Sequence, residues 1–189
     1  MEAKIRCAWC EKDDFYRNYH DNEWGIPVYD DGKLFEFLVL ETFQAGLSWY
    51  TILSKRENFR KAFDHFDYKK IAAYDEEKVQ LLMVDAGIIR NQLKIRATIS
   101  NAVAFMKVQK EFGSFSKYIW GFVNHTPIVN NHRTTADIQA TTPLSDDISK
   151  DLKKRGFKFV GSTVVYAHMQ ATGMVDDHIA TCWKRMGSK

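Results

Sequence analysis

The chain has 189 residues, of which 45% are hydrophobic and 27% are charged, with a formal net charge of +3. These figures are typical of a globular protein with its own core, and they exclude intrinsic disorder, collagen-like repeats and coiled coils. No segment reaches the roughly 20 apolar residues that a membrane span needs, and no apolar run follows the charged N-terminus. We therefore expect one compact domain over residues 1–189, or two tight helical lobes, located in the cytoplasm and without a membrane partner.

The first helices are predicted after an irregular start, because residues 1–30 crowd Trp, Tyr, Asp and Asn together without clear periodicity. Asp31 is a candidate N-cap for a helix that Gly46 breaks. Ser48 can cap a second helix, in which apolar residues recur at helical spacing as far as Phe63.

Two further helices are predicted around a glycine turn. Asp75 can cap a short helix that is stopped by Gly87. The longer helix after it has apolar residues at three- and four-residue steps: Ile95, Ile99, Ala102 and Met106. Another helix is expected to begin at Ser116 and to include Trp120.

The C-terminal third predicts two more helices. Ser145 precedes the first of them, and Gly156 ends it as a left-handed cap. The second is expected over residues 162–172 and is stopped at Gly173. Residues 125–144 show little periodicity and predict a loop. Since no segment sustains the period-two alternation of a half-buried strand, the sequence predicts an all-α fold.

Basic residues form two small clusters. Five of them fall within nine residues beside a single acid, Asp151: Lys150, Lys153, Lys154, Arg155 and Lys158. The other cluster comprises Arg90, Lys94 and Arg96. From charge alone, two solvated helix faces are the favoured interpretation, although a chain of this charge also permits nucleic acid as a partner.

Cysteine and histidine gather near both ends of the chain. His178 and Cys182 are four residues apart and would share one face of a helix. Near the other end lie Cys7, Cys10 and His20. A tetrahedral zinc site takes four such ligands. The C-terminal pair can be completed by Cys7 with Cys10, which the CxxC spacing favours, or by Cys7 with His20. Buried free thiols and surface histidines are the third interpretation.

Glu41 ends an apolar helical run, where a carboxylate is costly to bury unless it is paired. Large rings surround it in the sequence: Trp9, Tyr16, Tyr19 and Trp49. A carboxylate among rings suits a flat cationic ligand, through charge attraction and stacking. Residue type alone favours a solvent-facing glutamate at a helix end.

The turn between the two central helices is a candidate DNA contact. Backbone amides near Gly87 and Ile88 would open the second helix, where a phosphate can bind, with Arg90 and Lys94 beside it. The same glycine turn also serves simple helix packing.

Several motifs, taken together and in this order, resemble the bacterial 3-methyladenine DNA glycosylase I family. They are RCAW at 6–9, YHDNEWG at 19–25, LE at 40–41, QAGLSW at 44–49, DAGIIR at 85–90, FVNH at 122–125 and KKRGFKFVG at 153–161. The resemblance covers nearly the whole chain, and only residues 126–144 lack a clear match.

The resemblance implies an all-α helix-hairpin-helix glycosylase that flips 3-methyladenine out of double-stranded DNA and removes it by hydrolysis. Free 3-methyladenine would be the product, and no lyase activity is expected because no lysine stands out as a nucleophile. It also implies one structural zinc ion per chain that joins the N- and C-terminal segments. The implied zinc ligands are Cys7, His20, His178 and Cys182, which leaves Cys10 without a role.

For the site, the resemblance implies that Glu41 contacts the damaged base and that the aromatics line its pocket. The implied lining rings are Trp9, Tyr16, Tyr19 and Trp49. We expect the chain to act as a monomer. Two other functions compete with this one: a zinc-stabilised DNA-binding module without enzymatic activity, and a zinc hydrolase. The module has no reason to place an acid among rings, and the hydrolase needs an open metal position.

Overall fold

A computed structural model describes residues 4–44 and 46–187. Ala45, which belongs to the motif at residues 44–49, lies outside the described residues, as do 1–3 and 188–189. The described chain is mostly helical, and the all-α prediction is confirmed.

Most of the helices follow one another with short connections, and a longer segment joins α8 to α9. In chain order they are α1 (Asp14–Asn22), α2 (Asp31–Gln44), α3 (Trp49–Ser54), α4 (Arg56–Ala62), α5 (Tyr68–Ile71), α6 (Glu76–Val84), α7 (Gln92–Phe112), α8 (Phe115–Gly121), α9 (Pro143–Lys154) and α10 (Ser162–Ala171). Short 3₁₀ turns cover Ala8–Cys10, Asp64–Phe66 and Thr135–Asp137. Two short strands, β1 (Ile128–Val129) and β2 (Val175–Asp176), pair in parallel, which the sequence did not predict.

Local capping chemistry places several helix starts where the sequence predicts them. The Ser48 side chain accepts a hydrogen bond from the Thr51 amide at the start of α3, and Asp75 accepts one from the Lys78 amide at the start of α6. Such bonds satisfy amides that the first turn leaves without partners. The cap of α9 is Thr142 rather than Ser145, which instead completes a capping box with it.

The predicted cap at Asp31 is wrong, because Asp30 performs that task. The Asp30 carboxylate accepts from the Lys33 amide at 2.8 Å. Asp31 is the first residue of α2, and its carboxylate accepts from the Phe115 and Ser116 amides at 2.9 and 2.8 Å. It thereby ties α2 to the start of α8. Ser116 was predicted to begin α8, but the N-cap lies two residues earlier at Ser114.

The core is built around α2, which is buried along most of its length. The helices α7, α8 and α10 pack against it. A second, smaller cluster of buried residues joins the two ends of the chain: Cys7, Tyr19, Trp24, Phe37, Leu53, Ala171 and Cys182. The fold thus brings the aromatic N-terminal segment against the C-terminal segment.

The turn at Gly25 shows how closely these segments approach. Gly25 has φ +74°, and a Cβ there would lie 2.6 Å from Cε1 of His178. Its amide donates to the Gln170 carbonyl at 3.1 Å. Gly173 is equally confined, since a Cβ would lie 2.5 Å from the Ile26 backbone. Only glycine meets both demands at these positions.

None of the helices within 4–44 and 46–187 combines the length and the apolar character that a membrane crossing requires.

Candidate functional site

An aromatic cavity of about 370 Å³ opens between the N-terminal segment, the end of α2 and the face of α10. Its lining residues are Trp9, Tyr16, Trp24, Glu41, Gln44, Trp49, Thr135, Ile138, Gln139, Ala140, Thr163, Tyr166, Ala167 and Gln170. The cavity has the size and the mixture of apolar walls and few polar groups that are typical of small-molecule sites. The resemblance assigns five residues to the base pocket. Four of them line this cavity: Trp9, Tyr16, Glu41 and Trp49.

Glu41 is the acid of this cavity. Its side chain is 2% exposed, so the solvent-facing position favoured by residue type is wrong. The Oε2 atom has no hydrogen-bond partner among the described residues. Burial raises the pKa of Glu41 well above its usual value, because no neighbour compensates for the lost water. The site therefore holds a polar group whose partner must come from a ligand or from water.

The rings form a packed aromatic wall. Trp9 packs edge-on against Tyr16 with centroids 4.8 Å apart, and Trp49 lies 6.0 Å from Tyr19. Burial raises the pKa of Tyr16 to about 12, so its hydroxyl stays neutral. Tyr19 is the predicted lining residue that does not line the cavity. It is 2% exposed and lies behind the other rings, where its hydroxyl has no hydrogen-bond partner among the described residues.

The opposite wall contains residues that the sequence analysis did not identify. Tyr166 and Gln170 of α10 each donate to Oδ2 of Asp177 at 2.7 Å. The other oxygen of that buried carboxylate accepts from Asn130 at 2.6 Å and lies 3.0 Å from Nε2 of His132. Asp177 therefore joins α10 to the segment that continues into Thr135–Ala140, the outer rim of the cavity.

Three of the four predicted zinc ligands lie together. The ligand atoms of Cys7, His20 and Cys182 are within 4.8 Å of one another, and all three residues are buried. The Cys182 sulfur lies 3.5 Å from Nε2 of His20. A hydrogen bond from the Cys7 thiol lowers the pKa of Cys182 and thus favours the thiolate, the form in which a cysteine binds metals.

His178 borders this group and has the features of a fourth ligand. Its Nε2 is buried and has no hydrogen-bond partner among the described residues. Its other ring nitrogen, Nδ1, lies 2.7 Å from Asp176, just as Nδ1 of His20 lies 2.8 Å from Asp21. A carboxylate on the far nitrogen is the usual support of a metal-binding histidine. The ring centroids of His20 and His178 are 5.0 Å apart.

Cys10 does not belong to the ligand group. Its sulfur donates to the Cys7 carbonyl at 3.1 Å, and burial raises its pKa to about 11. The donor set of two sulfurs and two imidazoles fits zinc in a closed tetrahedral site. The geometry thus favours the quartet with His20 over the CxxC quartet.

The turn between α6 and α7 contains the expected glycine, Gly87, because close packing leaves little room for a side chain there. A Cβ at Gly87 would lie 2.9 Å from the Asp85 carboxylate. That carboxylate accepts from the Gly87 amide at 2.7 Å, and the Ile88 amide bonds to the Asp85 carbonyl at 3.4 Å. Both amides are therefore engaged within the turn. The exposed Arg90 follows them at the surface.

Lys94 does not lie where the sequence analysis expected it. It is 6% exposed, and its ammonium donates to the Phe43 carbonyl at 3.0 Å. This bond satisfies a carbonyl in the last turn of α2, close to Gln44 at the cavity. Lys94 therefore supports the helix end and is not placed to contact a phosphate.

The chain is similar to known glycosylases over almost its whole length. A family model described as methyladenine glycosylase matches residues 9–185. DNA-3-methyladenine glycosylase 1 of Escherichia coli (strain K12) is 50% identical over 184 residues, covering 97% of this chain and 98% of the relative. A DNA-3-methyladenine glycosylase of Haemophilus influenzae is 47% identical over 177 residues, covering 94% and 96%.

Solved structures give the same result. A crystal structure of a 3-methyladenine DNA glycosylase I has a TM-score of 0.93 at 49% identity, covering 96% of this chain and all of that one. A structure that describes the basis of 3-methyladenine recognition by 3-methyladenine DNA glycosylase I of Staphylococcus aureus has a TM-score of 0.92 at 37% identity. The match covers 97% of this chain and 98% of that one. Because sequence and fold agree over nearly the full length, this chain belongs to the methyladenine glycosylase family.

Proposed function

We propose that this chain removes 3-methyladenine from alkylated double-stranded DNA by hydrolysis, without lyase activity. The observation that carries the proposal is the unpaired Oε2 of Glu41, buried in the wall of a cavity lined by Trp9, Tyr16 and Trp49. A lesion inside a duplex must leave the stack to enter such a cavity, which costs less for a damaged base.

The chemistry requires little general acid catalysis. Methylation at N3 makes the adenine cationic, so the glycosidic bond can break with its electron pair moving to the base and neutralising it. Water then forms the new bond to the sugar carbon and loses a proton. The rings stack on the flat cation. The positive charge of the bound base favours the carboxylate form of Glu41 and so opposes the effect of burial.

We further propose that Cys7, His20, His178 and Cys182 hold one zinc ion. Two thiolates and two imidazoles would fill all four positions, so the ion supplies structural cross-linking rather than an activated water. The carboxylates of Asp21 and Asp176 orient the two histidines toward it. This arrangement argues against a zinc hydrolase, and the cavity argues against a module that only binds DNA.

A glycosylase assay on duplex DNA containing 3-methyladenine tests the main proposal. We expect release of free 3-methyladenine and an intact abasic strand, because no lysine is among the described residues that line the cavity. A matched undamaged duplex should release no adenine on the same timescale. Tight binding of the damaged duplex without release of base would leave only the binding module, and release accompanied by strand cleavage would contradict the monofunctional chemistry.

The α6–α7 turn is proposed to contact the DNA backbone through the exposed Arg90. Arg90→Glu should weaken binding to damaged and undamaged duplexes alike, since phosphate contacts carry no sequence information. The slope of log affinity against log salt concentration should fall by about 0.9 for the lost contact. The control is Lys110→Glu on the far part of α7, which makes the same charge change away from the turn. Equal binding by both variants would leave the turn a packing feature only.

A further inference from the structure

Asp177 is a buried carboxylate that the proposed chemistry does not use. It is 1% exposed. Among residues 4–44 and 46–187, no lysine or arginine pairs with it, and the imidazole of His132 lies 3.0 Å from Oδ1. A buried carboxylate without a lysine or arginine partner is costly. A neutral asparagine could join the same segments by hydrogen bonds, so the carboxylate at this position calls for an explanation.

A carboxylate determines how its neighbours are oriented, because it accepts hydrogen bonds and has no hydrogen to donate. Every group that bonds to Asp177 must therefore turn a donor toward it. Tyr166 uses its hydroxyl hydrogen and Gln170 its amino group, each 2.7 Å from Oδ2. Burial, followed by this hydrogen bond, raises the pKa of Tyr166, so its hydroxyl keeps the hydrogen that it donates. The Gln170 amide thus has a single orientation, with Nε2 toward Asp177.

The other end of the Gln170 amide is its carbonyl oxygen, Oε1. Gln170 lines the aromatic cavity together with Glu41, whereas Asp177 lies outside the lining and therefore behind the wall. Because Nε2 is turned to the carboxylate behind, Oε1 is the end left for a molecule inside the cavity. This oxygen accepts no hydrogen bond from another residue in the described part of the chain. The wall formed by α10 therefore presents a fixed acceptor to a ligand.

A fixed acceptor separates bases by their exocyclic group. The 6-amino group of an adenine carries two hydrogens, so it can donate one to Gln170 and the other to Glu41. A base with an oxo group at position 6 presents lone pairs there, which would leave two acceptors facing each other. Sites built to hydrogen-bond one polar group strongly reject analogues that lack it, because a buried partner is left unpaired. The stacking rings cannot make this distinction, since every base has a π face.

We infer that Gln170 is a specificity-determining residue and that Asp177 is the positioning residue that fixes its amide, so that the cavity accepts bases with a 6-amino group and rejects those with a 6-oxo group. The inference rests on the proposed function for the identity of the ligand. It explains why a costly carboxylate, rather than an amide, stands behind α10. A group that only accepts hydrogen bonds leaves Gln170 one orientation, whereas an amide would allow two.

Gln170→Met tests the specificity role, because methionine keeps the length of the side chain and removes the acceptor. Calorimetric titration compares free 3-methyladenine with 3-methylhypoxanthine, which carries an oxo group at position 6. The wild type should bind 3-methyladenine more tightly, and Gln170→Met should reduce this preference by on the order of tenfold, the equivalent of one hydrogen bond. Gln139→Met is the matched control, since Gln139 also lines the cavity but has no carboxylate that fixes its amide among the described residues. An unchanged preference in Gln170→Met would overturn the role of Gln170, as would an equal loss in Gln139→Met.

Asp177→Ala tests the positioning role, because it removes the group that orients the amide. Either end of Gln170 can then face the cavity, so the preference for 3-methyladenine should fall toward that of Gln170→Met. Asp177→Asn can keep an oxygen toward Gln170 while its amino group faces Asn130, so it should retain most of the preference. A purely structural role would weaken binding of both bases alike and leave the preference at the wild-type value, which would overturn the positioning role.

Folding of these variants is checked by zinc content and melting temperature, because Asp177 directly precedes His178. Where Asp177→Ala does not fold, Asp177→Ser takes its place with the same expectation, since a hydroxyl both donates and accepts and does not orient the amide either.

The same titrations separate this inference from the proposed function. Failure of both free bases to bind the wild type, together with absent excision, would contradict the proposed function. Binding of both bases without preference, alongside release of 3-methyladenine from DNA, would contradict this inference alone.

Discussion

We expect the Cys182→Ser variant to lose bound zinc and a large part of its free energy of unfolding at the same time. A serine hydroxyl is a poor zinc ligand, and the buried cluster that joins the chain ends would lose its cross-link. Structural zinc contributes roughly 10–16 kcal/mol in small zinc-dependent domains. Because this chain also has a large apolar core of its own, we expect a loss on the order of 3 kcal/mol or more. Metal analysis beside urea unfolding gives both quantities.

Cys10→Ser is the matched control, since Cys10 is also buried but lies outside the ligand group. It should retain full zinc and most of the wild-type stability. His20→Ala should behave like Cys182→Ser. Full zinc in His20→Ala together with zinc loss in Cys10→Ser would assign the ion to the CxxC quartet instead.

Glu41→Gln and Trp49→Ala are expected to have the largest effects on recognition of the damaged base. Glu41→Gln keeps the shape of the side chain but removes the charge that attracts the cation, so affinity for free 3-methyladenine should fall on the order of tenfold. Trp49→Ala removes a stacking face and should cost a similar or larger factor in affinity and excision. Affinity for undamaged DNA should change little in either variant. Calorimetric titration and single-turnover excision measure these effects.

The pH dependence of stability separates an effect on recognition from a folding defect. The pKa of Glu41 is raised in the folded protein, so the native state retains a proton that the unfolded state loses. Stability therefore falls as pH rises from the usual Glu pKa toward the raised one. Glu41→Gln should remove this term and should be more stable than wild type at neutral and alkaline pH. Unchanged affinity for the base in this variant would contradict the role of Glu41 in recognition.

Local chemistry allowed the sequence to predict much of the helical framework. Ser48 and Asp75 cap their helices where predicted, because an N-cap bond spans only three residues. The N-cap prediction at Asp31 is wrong because its carboxylate accepts hydrogen bonds from amides more than 80 residues away in the chain. The helix expected from Ser48 to Phe63 also divides at Lys55, so that α3 and α4 are separate.

The site residues could be predicted only where they lie within motifs that resemble those of the family. Residue type alone placed Glu41 in solvent, and only packing by α10 and the N-terminal rings explains its burial. No sequence pattern predicted that Thr135–Ala140 would form the rim of the cavity. Its position depends on the β1–β2 pair and on Asp177, which are contacts between distant segments that no local pattern encodes. Lys94 similarly looks like a surface charge until its bond to Phe43 is known.

The contact between the two chain ends has a consequence for biosynthesis. His20 and Cys182 meet although 162 residues separate them, and the cavity combines N-terminal rings with α10. On the ribosome, the rings of the first segment emerge long before the surfaces that cover them, so the nascent chain exposes tryptophan and tyrosine throughout most of translation. Because the cavity needs α10 as well as these rings, we expect it to form only after α10 has left the exit tunnel.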